Sequence, residues 1–197
     1  MTSPPKRIGG IVLAGGRSSR FGSDKLEARI DGRSLLDLAV AAVQEVATEV
    51  VVCASPEGTP VVHRSVLVAR DATAFDGPLA GVATGLAALP AGSDRVIVVA
   101  GDMPSVAPAV LRRLLAEIAA GADAATLADR DGRARPLPSA YRRAAAEREV
   151  PALLSSGERR LRTLPDTLRA TVVPWSAWRE LDPNGLSLRD IDTPGDI

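Results

Sequence analysis

Short β-branched runs alternate along the chain with longer stretches whose apolar residues recur at helical spacing, a rhythm that predicts βα units wound into a largely parallel sheet. The strand runs are IGGIVLA at 8–14, EVVVCA at 49–54, SVLVA at 65–69, RVIVVA at 95–100, AATLA at 124–128 and ATVVP at 170–174. Helices are expected over SLLDLAVAAVQEVA (34–47), opened by Ser34 as N-cap, over LAGVATGLAAL (79–89), and over APAVLRRLLAEIAA (107–120), stopped by Gly121. Strands apolar on both faces need helices on both sides, and such sheets bind ligands at the carboxyl ends of their strands. The rhythm breaks between about 130 and 165, where DRDGRARPLPSAYRR brings Pro136 and Pro138 among five arginines and leads into EREVPALLSSGERRLRTL. This segment is expected to be an insertion with its own short helices, forming one wall of a substrate cleft.

Composition narrows the class. At 197 residues and 46% apolar, the chain supports one sizeable core, which predicts a single domain over 7–197 behind a disordered start at 1–6. Twenty-four basic and twenty-four acidic side chains cancel, so no broad field is available for nucleic acid or an anionic membrane. The polar, Pro- and Gly-broken start does not read as a secretory leader, and no apolar run approaches the roughly 20 residues needed to span a bilayer. The lone Cys53, inside VVVCA, reads as a buried inert thiol. A cytoplasmic protein is expected.

The chemistry concentrates in IVLAGGRSSRFGSDK, residues 11–25. A strand that ends in Gly15-Gly16 and gives way to Arg17, Arg20 and Lys25 reads as a backbone cradle for an anion, phosphate above all. It is neither of two common phosphate motifs. The glycines do not follow GxGxxG, and Ser23 stands where a P-loop requires lysine. Further on, VVAGDMP (98–104) sets Asp102 directly after a buried strand, on a turn stopped by Pro104, where a carboxylate is poised to hold a hard cation such as Mg²⁺. The alternative is that Asp102 caps the following helix. Asp71 follows a strand, and Gly77-Pro78 opens a helix on which Gly81 and Gly85 read most simply as sites of close packing. His63 lacks partners for a catalytic triad, Trp175 and Trp178 read as packing, and the arginines of GERRLRTL read as a solvated helix face with anion steering as the alternative.

LAGGRSSRFGSDK resembles the LAGGxSxRMGxDK signature of the nucleotidyltransferases related to molybdenum cofactor guanylyltransferase, with Phe21 in place of the usual Met. RDATAFDGPLAG (70–81), VVAGDMP (98–104) and LSLRDIDTPGDI (186–197) follow in that family's order, so the resemblance spans the chain. It implies a Rossmann-like three-layer α/β/α sandwich with a mostly parallel sheet, as in nucleotide-diphospho-sugar transferases. It also implies transfer of GMP from GTP to a molybdopterin-type cofactor, with release of pyrophosphate and Mg²⁺ as the cofactor. Transient contact with molybdoenzymes or cofactor chaperones is implied, and no nucleic acid or membrane partner. By the same resemblance Leu13, Ala14, Gly15, Gly16 and Asp71 contact the nucleotide. Arg20 holds the leaving pyrophosphate, Lys25 sits on phosphate oxygens, and Asp102 binds the metal. Two departures stand out. CASPEG, with Ser55, replaces the Asn that relatives carry after the second strand, and Asp190-Ile191-Asp192-Thr193-Pro194 replaces NxNTP. Asp192 is thereby expected either to join Asp102 at the metal, to contact the pterin, or to cap a short terminal helix. CTP, another phosphorylated acceptor, and a non-catalytic nucleotide-binding role stay open as alternatives.

Overall fold

A computed structural model of the chain describes residues 7–15, 25–58, 60–62, 66–71 and 76–197. The expected disordered start and Gly16, Arg17, Arg20 and His63 lie outside these residues. In chain order the strands are β1 (Arg7–Leu13), β2 (Arg29–Ile30), β3 (Arg33–Ser34), β4 (Glu49–Ala54), β5 (Leu67–Arg70), β6 (Ser93–Ala100), β7 (Ala124–Ala128), β8 (Ala134–Arg142) and β9 (Thr171–Val173). The helices are α1 (Leu35–Gln44), α2 (Pro78–Ala88), α3 (Pro108–Ala119), α4 (Arg143–Ser155) and α5 (Thr163–Thr167).

Seven strands form one sheet in the order β5-β4-β1-β6-β8-β7-β9, with β2 and β3 a separate hairpin. The pairings are parallel except on the two sides of β8, which runs antiparallel to β6 and to β7. One face of the sheet packs Val12, Val52, Ile97, Val99 and Leu127 against α1 and α3. The other packs Ile11, Val51, Val96, Val98 and Tyr141 against α2, α4 and α5. Alternate residues of the same strands thus serve opposite cores, as the doubly apolar runs predict. Among the described residues no helix is long and apolar enough to cross a membrane.

The local signals work as their chemistry suggests. The Ser34 hydroxyl accepts from Asp37 N–H at 3.1 Å and caps α1. On α2, a Cβ added at Gly85 would lie 2.7 Å from Ile11 Cδ1, so the glycine lets helix and strand approach. Trp178 is fully buried, donates through Nε1 to Ala128 O at 3.0 Å and meets Trp175 edge-on, so both tryptophans pack.

The 130–165 segment corrects the expectation of an insertion. Residues 134–142 form β8, inside the sheet, and residues 143–155 form the 13-residue α4. The prolines mislead because they sit in an irregularity. On β7, Thr126 pairs with Ser139 while the next residue, Leu127, pairs with Arg135, so Pro136, Leu137 and Pro138 fall in a register shift where no ladder partner needs their N–H. Arg143 then ties α4 to the end of α2. Its guanidinium donates to the carbonyls of Leu86, Leu89 and Pro90, to Ser93 Oγ and to Glu147.

Helices α3, α4 and α5 share one C-terminal cap. In each, the second residue beyond the cap donates to a carbonyl five positions back: Ala122 to Glu117, Glu158 to Leu153, and Ala170 to Pro165. The left-handed residue in this cap is Gly121 after α3 and Gly157 after α4, but Arg169, at φ 50°, after α5. A side chain in that conformation costs about 1 kcal/mol relative to glycine.

Candidate active site

The carboxyl ends of the four parallel strands meet in register. Ala14 N–H donates to Cys53 O (2.7 Å), Gly101 N–H to Leu13 O (2.9 Å) and Asp71 N–H to Ala54 O (2.9 Å). The start of the Gly-rich loop, Asp71 and the Asp102 turn are thereby locked to one edge. A Cβ at Gly15 would lie 3.7 Å from Asp71 Oδ2 and from Ser55 N, so Asp71 and Ser55 flank the loop's first glycine. Part of the backbone expected to meet a ligand is already engaged, since Ala14 N–H and Leu13 O bond neighbouring strands. Gly15 is the first described residue of the loop with no such tie.

Lys25, in a 3₁₀ turn over Lys25–Glu27, reaches back into this edge. Its ammonium donates to Asp102 Oδ2 at 2.9 Å and to Asp192 Oδ1 at 2.8 Å. Burial lowers its pKa, but the hydrogen bonds and charges of Asp192 and Asp102 together outweigh burial and raise it, so the group is firmly cationic. Asp102 caps no helix, because α3 begins at Pro108 behind Ala107. The other oxygen, Asp102 Oδ1, is buried without a hydrogen-bond partner.

Asp192 arrives from the far end of the chain. Ser187 Oγ accepts from Ala107 N–H at 3.0 Å, and the buried Ile191 donates its N–H to Asp102 O at 3.0 Å, so the terminal segment lies across the end of β6. The terminal 3₁₀ turn is capped by Thr193 and Asp196, not by Asp192. Asp196 Oδ2 accepts from Asp192 N–H, Thr193 N–H and Thr193 Oγ1, and these bonds, the Thr193 hydroxyl's first, hold its pKa below the ordinary carboxylate value. With its capping alternative removed, Asp192 is left facing Lys25.

Lys25, Asp102 and Asp192 are therefore brought together, with Leu13, Ala14, Gly15 and Asp71 on the adjoining strand ends, while Gly16 and Arg20 lie outside the described residues. Two partners escaped the sequence reading. Thr84 Oγ1 donates to Asp71 Oδ1 at 2.7 Å and fixes that carboxylate from α2. Asp196 fixes the Asp192 backbone, a role that Thr193-Pro-Gly-Asp, a capping-box spacing, does signal. Cys53 is buried, and burial, with the Asp71 charge adding, pushes its pKa up to about 12, so the thiol takes no part.

Two carboxylates with one orphaned oxygen suit a hard divalent ion whose other ligands are water and phosphate oxygens. Among the described residues no group of three or more metal-ligating side chains occurs, so an all-protein cage is not built here.

The model of the MobA-like NTP transferase domain matches residues 10–171. The chain is similar to a probable molybdenum cofactor guanylyltransferase from Chloroflexus aggregans (strain MD-66 / DSM 9485), with 34% identity over 195 residues covering 96% of this chain and 91% of that protein. Its fold is similar to that of molybdopterin-guanine dinucleotide biosynthesis protein A from Archaeoglobus fulgidus, with 24% identity, a TM-score of 0.74, and 95% of this chain and 94% of that chain covered. The fold is also similar to that of a Mycobacterium tuberculosis H37Rv protein crystallised with manganese, at 19% identity and a TM-score of 0.63, covering 91% of this chain and 100% of that one. On the sequence match and the shared sheet, the chain belongs to the MobA-like NTP transferases, a family of nucleotidyltransferases.

Proposed function

We propose that the protein transfers GMP from GTP to a molybdopterin-type cofactor, forming the guanine dinucleotide and releasing pyrophosphate. The observation that carries this reading is the meeting of Lys25 with Asp102 and Asp192 beside the end of β1, a cation between two carboxylates where the Gly-rich loop begins. An oxygen of the acceptor's terminal phosphate bonds to the α-phosphorus of GTP as the bond to the bridging β-phosphate oxygen breaks, and pyrophosphate leaves with that electron pair. Two anions must be brought together, so positioning and charge neutralisation supply the catalysis, and no protein nucleophile is required.

In this reading the backbone of Leu13, Ala14, Gly15 and Gly16 lines the nucleotide, Gly15 being the least committed. Asp71, steadied by Thr84, bounds the nucleotide's other side. Lys25 moves from its carboxylates onto phosphate oxygens, and Arg20 holds the leaving pyrophosphate. Asp102 and Asp192 would hold Mg²⁺, whose charge, when bound, offsets that of the reacting phosphates. Residues 7–197 act as one catalytic domain, and the reduced, buried Cys53 accords with a cytoplasmic setting.

The test is incubation with molybdopterin and each of the four NTPs, followed by mass analysis. The expected product is the guanine dinucleotide, with thermal stabilisation by GTP and magnesium but not by CTP. A cytosine dinucleotide, or no dinucleotide with any NTP, refutes the assignment.

A further inference from the structure

A cleft of ≈ 330 Å³ opens on the opposite half of the sheet, between the edge strand β9, the start of β8 and α5. Arg135, Arg162 and Arg169 line it against one carboxylate, Asp166, and Thr126 and Val172 of the sheet contribute to its walls. Neighbouring arginines are occupied: Arg142 bonds Asp123, Arg159 bonds Asp76 and Arg160 bonds Glu158. Arg135 has only a 3.9 Å contact with Asp129, and among the described residues the guanidinium groups of Arg162 and Arg169 have no hydrogen-bond or ion-pair partner. In a chain of zero net charge, this is a local cationic excess around a concavity.

Arg169 carries the stronger signal. The caps of α3 and α4 use glycine at the left-handed position, whereas the same cap on α5 uses an arginine and accepts the strain. Folding alone favours glycine there, and strained backbone kept against that preference points to a use for the side chain. Guanidinium groups form planar, bidentate pairs with phosphate oxygens, and a space of this size suits a small organic anion. The cleft is also connected to the nucleotide side of the molecule. Arg159, three residues before Arg162, accepts at its carbonyl from Leu79 N–H at the start of α2.

We propose that this cleft is a second oxyanion site, which takes a phosphate-bearing small molecule through Arg162 and Arg169, with Arg135 opposite, separately from the triphosphate loop. The ligand is a phosphate-bearing anion other than the acceptor's terminal phosphate, which the proposed reaction brings to the α-phosphorus of GTP at the far edge of the sheet, and the site itself does not depend on the GMP-transfer reading.

The test is titration of inorganic phosphate into the full chain, followed by calorimetry and amide chemical shifts, with and without GTP and magnesium. The wild type should bind phosphate in both conditions. Arg169→Gly should weaken that binding about tenfold, the scale of losing one charged hydrogen-bonding group. It should also raise the Tm by about 2–4 °C, because the backbone strain is relieved. Arg162→Ala should weaken phosphate binding without raising the Tm. Equal phosphate affinity in the wild type and both variants, or displacement of all bound phosphate by GTP, overturns the proposal. Unchanged KM values for molybdopterin and GTP in Arg169→Gly, alongside weakened phosphate binding, are expected of a separate site, whereas a raised KM for molybdopterin would make the cleft part of the acceptor site and overturn the proposal. Failure of GMP transfer in the wild type would refute the proposed reaction and leave the phosphate titration to be read independently.

Discussion

The two halves of the sheet do different work with the same material. In β5-β4-β1-β6 every pairing is parallel, and the strand ends converge on one edge that holds Gly15, Asp71 and Asp102. In β8-β7-β9 one antiparallel strand interrupts that order, and the half contributes an arginine-lined cleft and the buried seat of Trp178. Parallel strands concentrate loops at one end, where backbone and carboxylates can be shared by a single ligand. The antiparallel insertion lacks that concentration and shapes the neighbourhood instead. Chemistry should therefore fail when the strand-end residues of the first half are altered, and stability or recognition when helix–sheet packing or the second half is.

The largest effect is expected at Asp102. Asp102→Ala should reduce turnover about a hundredfold or more at saturating magnesium, the scale of removing one preorganised electrostatic contact, with the Tm nearly unchanged. Steady-state pyrophosphate release together with thermal melts checks it. Lys25→Met should lose turnover on a similar scale, and with its ammonium gone Asp102 and Asp192 should repel each other. Wild-type turnover in either variant would show that the chemistry does not run on the Lys25–Asp102 edge.

On the structural side, Arg143→Ala should destabilise by about 2–4 kcal/mol, because it strands several carbonyls and a mostly buried hydroxyl, Ser93 Oγ, that one largely buried guanidinium satisfies. Gly85→Ala should cost about 1–3 kcal/mol by forcing α2 off Ile11. Urea denaturation measures both, and the kcat of the folded fraction should hold for Arg143→Ala.

The terminal segment gives a smaller, pH-dependent effect. Asp196 has its pKa lowered in the folded chain, so the stability it lends to the clip around Asp192 is complete above its unfolded pKa and is lost as pH falls through the folded value. Protection of the Asp192 and Thr193 amides from exchange, relative to the unfolded chain at the same pH, should hold at neutral pH and fall only below the ordinary carboxylate range, and Asp196→Asn should remove that dependence. The smallest effect is at Cys53, whose raised pKa and burial should leave it inert to thiol reagents near neutral pH until the chain unfolds.

The first half was largely legible in the sequence because its signals are local. β-branched runs, Ser34, Gly121 and the Gly77-Pro78 opening each act within a few residues, and the loop and Asp102 turn follow strands whose ends are sites by topology. In the second half β7 and β9 follow from equally local runs, AATLA and ATVVP, but β8 and α4 do not. Pro136 and Pro138 read as breakers, and only the pairing of β8 with both β6 and β7 reveals that they occupy a register shift. Asp192 beside Asp102 was one of three alternatives open in the sequence, and what selects it is a pair of contacts between residues distant in the chain, Ser187 with Ala107 and Ile191 with Asp102. Arg169 at a glycine position could be noticed only once the two matching caps were visible in three dimensions.

In the proposed reaction a divalent ion and GTP share the edge now bridged by Lys25. Anomalous diffraction from crystals of the GTP–manganese complex tests it directly. A manganese peak is expected on the carboxylate of Asp102, with the Lys25 ammonium drawn from its carboxylates to a phosphate oxygen. A peak remote from Asp102, or nucleotide bound with Lys25 still spanning Asp102 and Asp192, would contradict it.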